Sequence, residues 1–267
     1  MLRQPYVAGQ FYPGSKAELL KNLGGLVEKD LVVLPALGIV SPHAGYEYSG
    51  KVAGEVFSKI KIPETVIIVG PNHTGRGLSF SVTSRGEWLT PLGKVPIDSD
   101  LAEKLLKISR FLKEDDLAHR CEHSIEVQLP FLQFLRKEFS FVPIVVASAE
   151  LSTHQAIGRE VAKAVRSSKK DVMIIASSDM THYEPQSEAA YKDSLAIEAI
   201  LKLDEKLLLE HIEKYHITMC GYAPCIIMLS AVKELGAKEA ELVKYQTSGD
   251  ARGDYDSVVG YAGIIIR

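Results

Sequence analysis

Three cysteines, Cys121, Cys220 and Cys225, are all that the 267-residue chain contains, and no two of them stand in a C-x-x-C pair. That scarcity excludes a disulfide framework and a closed all-thiolate zinc site, and it makes the reducing cytoplasm the expected location. Long apolar runs are missing too, and none approaches the ~20 residues that span a bilayer. The opening MLRQPYVAGQFYPGS has no basic stretch followed by an apolar core, so no secretion signal is expected. Basic blocks are absent: 31 Lys and Arg stand against 34 Asp and Glu, a formal net charge of −3. Neither nucleic acid nor a membrane surface is therefore an expected partner. Asparagine occurs only at Asn22 and Asn72, a poverty in thermolabile amides of the kind seen in heat-adapted proteins. There is no Walker loop, no G-x-G-x-x-G and no G-x-S-x-G, which removes the commonest phosphate cradles and the nucleophile elbow. The stretch TSGDARGDYDSVVGYAG has aspartates and glycines but not the 12-residue frame with a closing glutamate that calcium loops use.

What remains is a chain of ordinary globular composition, 46% hydrophobic and 24% charged, long enough for one large α/β domain or two small ones. Runs rich in β-branched residues predict strands at 37–41, 65–70, 78–84, 141–147, 172–177, 241–247 and 257–266. Most are apolar without alternation, which suits strands covered on both faces. Helical patterns lie between them. STHQAIGREVAKAV opens with Ser152 and Gln155 at capping-box spacing and sets Ile157, Val161 and Val165 on one face. Pro224 and Gly236 bracket a second helix, and DSLAIEAILKLDEKLLLEHI reads as two helices or a broken one. The alternation predicts a single α/β domain over 1–267 with a largely parallel central sheet flanked by helices.

Three of these strands run straight into histidines. His43 follows 37–41 in SPHAGY, His73 follows 65–70 in GPNHTG, and Asp179 and His182 follow 172–177 in SSDMTHY. Ligands in open α/β sheets bind beyond the carboxyl ends of the strands, so parallel strands would bring all four side chains to one rim. Converging neutral imidazoles favour Fe(II), Zn(II) or Cu, and a carboxylate such as Asp179 can complete a two-histidine set. Cys220 in TMCGYAP precedes a helix, where a lowered thiol pKa is expected. Cys225 reads as core. A rival pair, His119 and His123 in HRCEHSIEVQLPFL, lacks a second pair to close a zinc site. His123 and Glu126 are better placed as support or lining for the strand-end cavity. His154, His211 and His216 stand in polar helical surroundings and read as solvated surface.

Taken together, RQPYVAGQFYP, SPHAGYEYSG, GPNHTG, EHSIEVQLPFL, SSDMTHY, CGYAPC and GDYDSVVGYAG resemble the Memo family over essentially the whole chain. The resemblance implies a fold like that of the class III (LigB-type) extradiol dioxygenases, with a metal cleft at the strand ends. It implies His43, His73 and Cys220 as metal residues, the cysteine standing where the dioxygenases have a carboxylate. His182 falls at their catalytic base, with Asp179 beside it. It also implies a radical SAM protein as partner and a small molecule or peptide as ligand. Three functions follow as expectations: a redox enzyme using Fe(II) or Cu, a metal- or peptide-binding module without turnover, and a zinc-dependent hydrolase.

Overall fold

The computed structural model describes residues 2–28 and 31–267. Its centre is four parallel strands, in the order Gly38–Ser41, Val172–Ser177, Thr65–Pro71 and Ser140–Val146. These are the unalternated apolar runs: Ile39, Val40, Val66 to Val69 and Ile174 to Ala176 are all fully buried. Buried on both faces, they have no polar side to present.

The flanks are antiparallel. Val258–Ile266 pairs with Gly38–Ser41 on one side, and Phe80–Val82 with Ser140–Val146 on the other. Ala240–Thr247 and the short strand His182–Glu184 both pair with Val258–Ile266. The domain is thus a single α/β unit whose nine-stranded sheet is mixed, with the expected parallel arrangement at its heart. A separate three-stranded sheet joins Leu2–Arg3, Glu87–Thr90 and Gly93–Pro96.

Helices cover both faces. A Cβ on Gly38 would strike Met228 and Val232 of helix Tyr222–Leu235, whereas one on Gly263 would strike Val56 and Val52 of helix Tyr46–Ser58. Gly38 pairs with Ile266, three residues from Gly263, so the two glycines face opposite ways. Helix Leu151–Ser168 packs on Tyr222–Leu235.

Several local expectations change. Helix Leu151–Ser168 starts at Glu150, which makes no side-chain cap bond. Ser152 therefore lies inside the helix, and the Ser152–Gln155 spacing is not a capping box. The second helix begins at Tyr222 and ends, as Pro224 and Gly236 suggested, with Gly236 at φ 105°. The long helical stretch is two helices, Gln186–Leu201 and Glu205–Tyr215, the second capped by Asp204 accepting from Leu207 N–H. His154 is not solvated: it is fully buried, with Nε2 3.2 Å from the Ala147 carbonyl. His211 is half-buried against the Leu195 carbonyl, and His216 is exposed.

Candidate metal centre

Register puts the carboxyl ends of the central strands level. Ser41 pairs with Ser177, and Pro71 with Val146. Three of the four strands end in a turn that delivers a candidate side chain within two residues: His43 after Ser41, His73 after Pro71 and Asp179 after Ser177. His43 is held there by the next strand's turn: Asp179 Oδ1 accepts from the backbone N–H of His43 at 2.7 Å and of Ala44 at 3.3 Å. Its ring is 2% exposed, with Nδ1 3.0 Å from Ser177 Oγ. His73 is held by a residue from a third segment. Glu122 accepts from His73 N–H at 2.8 Å, and its other oxygen lies 2.9 Å from His73 Nδ1.

His123, next along the chain, completes a cluster. The rings of His43 and His73 are 5.1 Å apart, those of His43 and His123 5.5 Å, and those of His73 and His123 stack at 4.7 Å. One ligand nitrogen from each of the three lies within 4.8 Å of the others, a grouping that can hold a single metal ion. Sequence reasoning placed His123 as support or lining; the fold sets its ring among the strand-end histidines. The donors fit a borderline transition metal. His43 and His73 each engage Nδ1 with the protein, the usual posture of a ligating imidazole that offers Nε2.

Cys220 reaches the cluster at its edge. Its Sγ is 3.1 Å from His43 Nε2. The approach depends on Gly221, whose added Cβ would fall 2.4 Å from Ser178 Cβ. Only glycine lets the start of the helix press this close to the turn beyond Ser177. The expected lowering of its thiol pKa is not what the surroundings produce. Burial, reinforced by the Asp179 carboxylate, pushes the thiol well up, which outweighs a nearby helix start.

Burial pulls in different directions around the cluster. It holds His43 well below the usual imidazole range, helped by the neighbouring charges of His123, His73 and His182. Burial lowers His123 as well. His73 resists its burial through the bond to Glu122 and ends up raised. Glu122 resists burial through the same bond and falls to about 2. Burial lifts Asp179 to about 6 against the opposing N–H bonds from His43 and Ala44.

His43, His73, His123 and Asp179 line a cleft of about 680 Å³ that also includes His182, Tyr183 and Tyr48. His182 donates its N–H to Thr218 Oγ1 at 2.7 Å, and its Nδ1 lies 3.0 Å from the Thr218 carbonyl. Tyr183 is 78% exposed at φ 60° on a bulge of its strand pairing. Arg252 lies over the Tyr48 ring at 4.6 Å.

Two candidates fall elsewhere. Glu126 does not line the cleft. It is fully buried and accepts from Arg3 Nη1, Tyr12 Oη and the backbone N–H groups of Tyr6 and Val7. Its effect on the cleft is through the N-terminal segment, whose Phe11 packs on His123 at 4.9 Å. His119 is buried near Trp88, 6.0 Å between rings, outside the three-histidine group. The residue that sequence reasoning missed is Glu122. A charged side chain in a polar stretch carries no local sign of complete burial.

Residues 3–265 match the family model described as Memo-like protein. A MEMO1 family protein of Methanopyrus kandleri is 44% identical, covering 100% of this chain and 99% of its own. One from Aquifex aeolicus is 45% identical, covering 99% and 98%. A solved structure of an uncharacterized Escherichia coli K12 protein is 13% identical with a TM-score of 0.57, over 85% of this chain and 98% of that one. That likeness is one of fold alone.

Proposed function

The chain belongs to the Memo family, and from that premise we propose that its cleft holds one Fe(II) or Cu ion for redox chemistry on a small ligand. The reading rests on one observation, the meeting of His43, His73 and His123 ligand nitrogens within 4.8 Å in the floor of an open cleft. Cys220, at His43 Nε2, is the soft donor at hand, and sulfur beside imidazole favours Cu and Fe over hard cations. Such an ion supplies electron transfer and polarises a bound oxygen atom.

The remaining residues prepare the ligand. A carbonyl only accepts, so the Thr218 carbonyl keeps a proton on His182 Nδ1 and leaves Nε2 to take one from a hydroxyl-bearing ligand. Asp179 keeps the His43 turn in place through two N–H bonds. His73 and His123 retain 30% and 22% of their side-chain exposure, so both rings can be reached from the cleft.

A zinc-dependent hydrolase is the second reading, because three imidazoles without a carboxylate among them also suit catalytic Zn(II). The guanidinium of Arg252 at the cleft favours a third, an anionic small molecule or peptide held without turnover. Protein purified with and without oxygen, analysed for metals and then assayed for oxygen uptake with catechols, separates the three. Uptake that needs Fe(II) or Cu and disappears in His43→Ala supports the redox reading. Hydrolysis with Zn(II) alone, or tight metal binding with no turnover, overturns it.

A further inference from the structure

We propose that Ser177, which is fully buried behind His43, fixes the tautomer of that histidine and is a positioning residue for the metal centre. The argument is a count of protons. Ser177 has one hydroxyl hydrogen and two lone pairs. Its Oγ is 2.7 Å from the Ser124 carbonyl, which can only accept, so the hydrogen is committed there. One lone pair receives the Gln128 amide at 2.9 Å. That amide cannot be turned round: Nε2 also donates to the Pro42 carbonyl at 2.9 Å, while Oε1 accepts from Ser41 Oγ at 2.8 Å. The one lone pair left faces His43 Nδ1 at 3.0 Å, so Nδ1 must carry the proton.

The consequence lies on the opposite side of the ring. Nε2 keeps its lone pair, directed at the Cys220 sulfur 3.1 Å away, where the thiol hydrogen can lie against it. In the other tautomer an N–H would face the cleft and could not ligate. A site with two competing tautomers binds a metal only through the competent fraction. Ser177 and Gln128 are 0% and 1% exposed, so neither acts by touching a ligand. This inference rests on the metal reading for its purpose but not for its geometry.

Long-range proton–nitrogen-15 correlation of the metal-free protein tests it, with His43 assigned by its loss in His43→Gln. The parent is expected to show His43 as one tautomer, with a pyrrole-type Nδ1 and a pyridine-type Nε2. Ser177→Ala should show a second tautomer and bind Zn(II) about 10- to 100-fold more weakly, the usual cost of losing a ligand's outer partner. Ser177→Thr, which keeps the hydroxyl, should restore the single form. If Ser177→Ala does not fold, Ser177→Cys, whose sulfur is only a weak acceptor, replaces it, and there too the second tautomer is expected. A parent protonated at Nε2, or a Ser177→Ala protein with one unchanged tautomer and zinc affinity within about twofold, overturns the proposal. The expected tautomer with no zinc uptake would keep Ser177's role and remove the metal reading. Tight zinc binding by the opposite tautomer would do the reverse.

Discussion

The Glu122 carboxylate holds His73 twice, accepting from its backbone N–H at 2.8 Å and lying 2.9 Å from its ring Nδ1. It also accepts from Ser124 N–H at 2.9 Å, so it joins the His73 turn to the segment that carries His123. Glu122→Ala leaves these donors unmatched and the ring free to rotate. Zinc affinity, measured by chelator competition, should fall by about 10- to 100-fold. Glu122→Gln keeps acceptor oxygen and should lose less. Unchanged affinity in Glu122→Ala would mean that His73 is not a ligand.

Glu126 should behave as a fold residue. Its removal strands the buried Arg3 guanidinium, which sits 2.7 Å from it. Glu126→Ala is expected to cost about 3–5 kcal/mol in urea unfolding. The N-terminal segment should then become accessible to protease. A cost near zero would show that Arg3 finds another partner.

His119 predicts an acid-sensitive term. Burial first, and then the Arg3 charge, hold its ring near a pKa of about 3. The folded value is thus depressed below the unfolded ~6.5. Its share of stability is full above pH ~6.5 and declines as pH falls toward about 3, at about 1.4 kcal/mol per pH unit. Among the described residues neither ring nitrogen has a hydrogen-bond partner of good geometry, so His119→Leu abandons little. Thermal unfolding of that variant should depend less on pH between about 6.5 and 4.5 than that of the parent. Parallel curves would assign the acid sensitivity to other groups.

Tyr183 is a bulky residue at φ 60° with a 78% exposed ring. Such a conformation costs about 1–3 kcal/mol and collects at functional sites. Glycine adopts it freely, at an entropic cost of about 0.5–1 kcal/mol. Tyr183→Gly should therefore be neutral or stabilising in calorimetry. A loss above about 1 kcal/mol would show that the ring is kept for folding.

Cys220→Ser exchanges a soft donor for a hard one beside His43. Copper(I) affinity should fall more than zinc affinity. An equal fall for both ions, or none, would take the sulfur out of the centre.

Much of this protein was legible before folding. TVIIVG and VMIIAS announce strands because residues buried on both faces must be apolar throughout. His43 and His73 stand out because a histidine two or three residues past such a strand has few places to go but the rim. The short strands escaped notice for a matching reason. Leu2–Arg3 is a strand only because Glu87 and Trp88 come alongside it, and pairing across that separation leaves no periodicity. His154 was misjudged because its helix looks polar in one dimension, whereas Phe80 and Tyr222 close over it in three.

The order of apolar runs thus decided which strands form and which histidines end them, since hydrophobic burial reads composition directly. Tertiary structure alone decided that His123 joins the cluster, that Glu122 and Ser177 hold its rings, and that Glu126 serves the N-terminal segment. Those choices depend on hydrogen bonds between residues as many as 134 positions apart. Directional contacts of that kind are set by the packing of the sheet, not by any neighbour along the chain.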